Sequence, residues 1–107
     1  MWYIFPQLAG LGMSPMSVKF AIRDIHEAKD YLAHPVLGNR LKEICRALLT
    51  LQGNNATDIF GTPDDLKLCS SMTLFAAADP SAWEFAEVLE KYFEGEPDQK
   101  TLELLNP

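Results

Sequence analysis

No stretch of this chain approaches the roughly 18 consecutive apolar residues that a membrane-spanning helix needs, so no membrane partner is expected. Positive charge is scarce. Nine Lys and Arg stand against 15 Asp and Glu, a net charge of −6, whereas non-specific nucleic-acid binding needs clustered cations that displace phosphate counterions. No nucleic-acid partner is expected either. Cysteine and histidine are equally thin: Cys45 and Cys69 show no CxxC spacing, and His26 and His34 complete no ligand pattern, so the sequence predicts no metal and no cofactor. The two thiols read as reduced and buried, and the first residues lack the layout of a signal peptide, which places the chain in the cytoplasm. Catalytic templates are missing too, with no GxSxG elbow, HExxH pair or Walker loop, and Gly10 and Gly12 lack the spacing of a phosphate motif.

What is present is helical punctuation. At 107 residues, residues 1–107 form a single domain that buries roughly 65% of its unfolded surface. Pro15, Pro35, Pro63 and Pro80 each suit a first helical position after Ser14, His34, Thr62 and Asp79, and Gly53, Gly61 and Gly95 follow apolar runs where helices stop. The pattern predicts an all-α bundle of five to seven short helices. A short helix is expected over Pro15–Ile22, although its residues alternate as a strand would, because no second strand offers a partner. A second begins at Asp24, with Glu27 completing a capping box, and Pro35 closes it. A third carries Leu37, Leu41, Ile44, Cys45, Leu48 and Leu49 on one face. Asn55 caps a short turn, Asp79 and Pro80 open a helix with Trp83, Phe85, Leu89 and Tyr92 on its apolar face, and a last short helix from Asp98 to Leu105 is the segment expected to fray.

The helix over residues 62–78 is the central one. At about 100° per residue, Leu68, Met72 and Phe75 lie on one stripe and Leu74 and Ala78 on another, so both sides want burial. Between them run Lys67, Ser70, Ser71 and Thr73, polar groups that burial forces into hydrogen bonds. Two readings are open. In one, Lys67 binds an anionic ligand, steadied by Asp64, and Ser70 and Ser71 supply hydroxyls. In the other, Lys67 snorkels outward and the hydroxyls bond carbonyls one turn back. His34 is a cap or faces a ligand, Arg40 is a solvated cation or shares a mouth with His34, and Gln7 offers an amide. Trp2, with Tyr3 and Phe5, packs in the core or stacks on a planar ligand.

The strings MWYIFPQLAGLG, YLAHPVLGNRL, DIFGTPDDLKL and SSMTLFAAA resemble the bacterial domain-of-unknown-function family that is often mislabelled calpastatin-like, across essentially the whole chain. The resemblance implies an all-α cytosolic protein of one domain, favours His34 over His26 as a site residue, and brings no biochemical function with it. Members usually carry one more long helix ahead of the segment matching Trp2, so the chain reads as truncated at its N-terminus. An uncovered apolar block then predicts self-association. Three functions follow for comparison: an anionic or nucleotide-like small molecule bound in a polar cleft beside the 63–78 helix, a protein-interaction or self-associating domain, and a small hydrolase of a nucleotide-like metabolite. Whether the chain is an enzyme stays open at this point.

Overall fold

A computed structural model describes residues 5–10, 21–53, 55, 58, 60–61 and 64–105. Five helices stand among them: α1 (Ile25–Ala33), α2 (Leu37–Thr50), α3 (Asp64–Ala78), α4 (Trp83–Phe93) and α5 (Gln99–Leu105). The all-α bundle is as expected, and α3 is its centre, packing against α1, α4 and α5 while α2 closes on α1 and α4. From Asp65 to Ala78 only Leu66 and Ala77 are exposed. Two apolar stripes on one helix therefore mean partners on both sides. The deepest layer is aromatic: Phe75 lies between Tyr31 and Phe85, with ring centroids 5.4 and 5.7 Å away. Cys45 Sγ meets Met72 Sδ at 3.6 Å in the same buried layer.

Local capping explains most helix ends. Asp24 Oδ1 accepts the Glu27 amide at 2.9 Å, as the capping box requires, but the Glu27 carboxylate turns to Arg23 Nε at 2.6 Å instead of reaching back. Half the box forms. Asn55 Oδ1 accepts the Asp58 amide at 3.2 Å, the expected turn. Asp79 does not cap α4; its Oδ1 accepts from the Ser81 amide at 3.2 Å and the Ser81 hydroxyl at 2.5 Å, so the chain makes a tight turn through Pro80 and the helix starts at Trp83. The nearer donor wins. Trp83 consequently sits at the mouth of the helix and is 54% exposed, away from the apolar face that holds Phe85, Val88, Leu89 and Tyr92. Leu37, also a first helical residue, is exposed for the same reason. α4 ends with Glu94 in the left-handed region at φ 57, followed by Gly95 at φ 77, whose amide bonds Leu89 O at 3.0 Å.

The Pro15–Ile22 expectation falls mostly on residues outside those described. Its last residue is corrected: Ile22 makes a parallel bridge with Leu8, through Ile22 N to Gln7 O and Ala9 N to Ile22 O, both 2.7 Å. The strand partner is the N-terminal block. Phe5 and Leu8 of that block are buried, and Phe5 meets Phe60 edge-on at 6.3 Å.

One charged side chain ties α4 to the end of α2. Lys91 Nζ donates to the carbonyls of Leu48 and Leu49 at 3.1 Å each and to that of Leu51, while Tyr92 Oη donates to Leu48 O at 2.6 Å. A cation on the last carbonyls of a helix satisfies orphan acceptors and opposes the dipole. Lys91→Met keeps the aliphatic stem and should cost about 2 kcal/mol in urea unfolding; a loss below about 0.5 kcal/mol would mean water replaces the ammonium freely.

Candidate functional site

The seam on α3 resolves into satisfied and unsatisfied groups. Ser70 Oγ donates to Leu66 O at 3.0 Å, and Thr73 Oγ1 donates to Cys69 O at 2.8 Å, the bond to the preceding turn that a helical hydroxyl can always find. Thr73 Oγ1 also accepts the Asp98 amide at 2.8 Å, and Asp98 Oδ2 accepts the amide and hydroxyl of Thr101 at 3.0 and 2.6 Å. That chain of bonds pins α5 to α3. Thr73 is thereby structural, and the segment expected to fray has a buried anchor in Thr101.

Ser71 differs. Its side chain is fully buried, and Ser71 Oγ is the one buried side-chain polar atom without a hydrogen-bond partner among the described residues. Leaving a hydroxyl in that state costs about 1–3 kcal/mol, so its presence asks for a reason. Lys67, half-buried, lies four residues earlier and so on the same side of the helix. Asp65 is buried in the first turn, with Oδ1 accepting the Leu66 amide at 2.9 Å. Its expected capping partner Thr62, and the Asp64 side chain, lie outside the described residues.

The other predicted site residues stand elsewhere. His34 caps: its Nδ1 accepts the amides of Val36 and Leu37 at 3.2 Å each, starting α2. Arg40 is exposed one turn further, its amide on Val36 O at 3.0 Å, so these two flank one corner. His34 follows Tyr31, which packs on Phe75, two turns along α3 from Lys67. Gln7 is half-buried in the segment that bridges to Ile22. Trp2 lies outside the described residues. The structure thus brings Lys67, Ser70 and Ser71 together on α3 and sets His34 and Arg40 at the α1–α2 corner. A separate cavity of about 190 Å³ opens between Leu8–Ala9, the Arg23–Ile25 start of α1 and Leu104–Leu105, and is lined by none of the seven predicted residues.

Sequence reasoning missed two residues. Tyr31 sits three positions after the buried Ala28, a spacing that should have placed it on the inner face of α1. Lys91 gave no signal, because its partners are main-chain carbonyls that no side-chain pattern marks.

Both thiols are free. Burial, then the charge of Glu84, pushes Cys45 up to about 12, and burial, then Asp98, pushes Cys69 up to about 11. Such thiols stay protonated and unreactive at neutral pH. Native protein at pH 8 should therefore resist iodoacetamide while urea-unfolded protein labels at both positions; rapid stoichiometric native labelling would contradict the burial. The sign for stability follows. An unfolded thiol loses its proton near 9.0 and folded Cys45 near 12, so raising pH across that window releases protons from the unfolded chain alone and lowers stability. Among the described residues no three His, Cys, Asp or Glu side chains are grouped to hold a metal ion. None of the described helices is long and apolar enough to cross a membrane.

A small all-α domain built around a polar seam on its central buried helix is the class these features define. The chain belongs to the family described as protein of unknown function, DUF1810, whose model matches residues 1–105. It is similar to the crystal structure of the conserved hypothetical protein Rv1873 from Mycobacterium tuberculosis, with 48% identity and a TM-score of 0.96 over 99% of this chain and 76% of that one. No curated protein matches the chain. Neither description carries a calpastatin-like label, which stands without support.

Proposed function

We infer that the protein binds an anionic, nucleotide-like small molecule beside α3, in a cleft whose polar wall is Lys67, Ser70 and Ser71. The observation that carries this reading is the orphan hydroxyl of Ser71, fully buried four residues after Lys67 along α3. A ligand oxygen at that place would take the unused hydrogen bond, and Lys67 would balance its charge. Gln7, Arg40 and Trp2 are secondary members of the reading, since the first two stand on other segments. Two free, protonated thiols suit a reducing cytoplasm.

Binding is favoured over hydrolysis by the state of His34. Its Nδ1 accepts two main-chain amides, so in the neutral ring the proton sits on Nε2. A proton carrier needs a free lone pair, and this imidazole has committed its own to the helix start.

A second reading, self-association or docking of a protein partner, draws on Leu66 and Trp83, which are 60% and 54% exposed. The two readings separate by experiment. Thermal shift against a panel of phosphates and nucleotides should raise the melting temperature, and Lys67→Ala should abolish that response while leaving the fold intact. A flat panel together with a dimer by light scattering at micromolar concentration would favour the interaction reading.

A further inference from the structure

The cavity between the N-terminal segment, the start of α1 and α5 has walls of its own. Leu8, Ile25, Leu104 and Leu105 make them apolar, and Arg23 and Asp24 add one cation and one carboxylate. Each wall is tied in place. The Leu8 segment is held to Ile22 by two main-chain bonds of 2.7 Å, Asp24 Oδ1 holds the Glu27 amide at the start of α1, and Thr101 fixes α5 through Asp98 to Thr73. A cavity so built is present before a ligand arrives. Leu104 stays 38% exposed on it, which leaves the apolar wall open to an occupant.

Volume and charge select the occupant. At about 190 Å³ the space falls short of the roughly 300–1,000 Å³ of pockets for drug-sized ligands, so a nucleotide is too large and a molecule of amino-acid size is not. Arg23 gives its Nε to Glu27 at 2.6 Å, and Asp24 gives its Oδ1 to the Glu27 amide at 2.9 Å. The Arg23 amino groups and Asp24 Oδ2 make no other bond among the described residues. With Glu27 these side chains sum to a charge of −1, which disfavours a bare anion, while a lone cation would leave Arg23 unmatched. A ligand carrying both charges meets both. We propose that this cavity binds the zwitterion of an apolar α-amino acid of leucine's size: carboxylate on the Arg23 amino groups, ammonium on Asp24 Oδ2, and side chain against Leu8, Ile25, Leu104 and Leu105. This site is independent of the reading beside α3.

The test is an NMR titration of isotope-labelled protein with L-leucine, read at the amides of Ala9, Ile25 and Leu105. These should shift with a dissociation constant on the order of 1 mM, as suits so small a ligand. 4-Methylpentanoate lacks the ammonium and 3-methylbutylamine the carboxylate, so each should bind roughly tenfold more weakly. Arg23→Gln loses only a surface pair, and Asp24→Asn keeps an oxygen that caps α1, so both variants should fold as the wild type does. Each should weaken leucine roughly tenfold as well. Asp24→Asn binding leucine unchanged, or 4-methylpentanoate binding as tightly as leucine, would overturn the zwitterion assignment. Cavity amides that stay still at leucine concentrations about ten times that constant would overturn the site itself, whatever nucleotides do beside α3.

Discussion

Replacing Gly38 by alanine should cost about 3 kcal/mol or more, enough to unfold much of a marginal 107-residue domain. Gly38 is buried at the start of α2, where that helix turns back across α1. A Cβ built on it would lie 2.1 Å from the main-chain oxygen of Leu32 and 2.8 Å from the carbonyl carbon. Main-chain atoms of a neighbouring helix cannot swing aside as a flexible side chain can. The corner must open, and Leu41 and Cys45 further along α2 would be levered from the core. Alanine's better helix propensity, worth about 1 kcal/mol over glycine, is too small to offset that. Asn39→Ala is the control, since its exposed side chain only bonds Pro35 O at 2.6 Å and its loss should cost under about 1 kcal/mol. Urea unfolding of both variants decides it. A Gly38→Ala protein within 1 kcal/mol of wild type would show that the two helices do not approach so closely.

Phe75→Ala should be nearly as severe, at about 3–5 kcal/mol. The ring is fully buried and is shared: Tyr31 of α1 packs on one side and Phe85 of α4 on the other. Removing it empties the contact between three helices at once. Phe75→Leu preserves most of the volume and should cost under about 1.5 kcal/mol. Calorimetric melting distinguishes the pair. Equal losses from both substitutions would mean that shape and not volume governs this layer.

The helices themselves were legible because their signals are local. Asp24 three residues before Glu27 marks a start whose amide acceptor is in place at 2.9 Å, and two apolar stripes between residues 64 and 78 mark a helix buried from both sides. What escaped was whatever depends on a distant or main-chain partner. Ile22 looked like a strand without a mate because Leu8 lies in a different segment. Trp83 shares the apolar periodicity of Phe85 and Tyr92, yet periodicity says nothing of where a helix ends, and Asp79 turned to Ser81 instead. At the site, the sequence put four polar groups together on α3. Only the folded structure separates Ser70 and Thr73, which bond the preceding turn, from Ser71, which does not, because a helical hydroxyl has that bond on offer in every case and its rotamer decides.

Ser71→Ala, followed by both urea unfolding and adenosine monophosphate titration, bears most directly on whether this buried hydroxyl belongs to a ligand. If it does, the substitution removes an unsatisfied polar atom from the core, so stability should hold or rise by up to about 1 kcal/mol while the nucleotide response is lost. A variant that is less stable by more than about 1 kcal/mol and still binds the nucleotide as tightly as the wild type would contradict it, and would make Ser71 a packing residue.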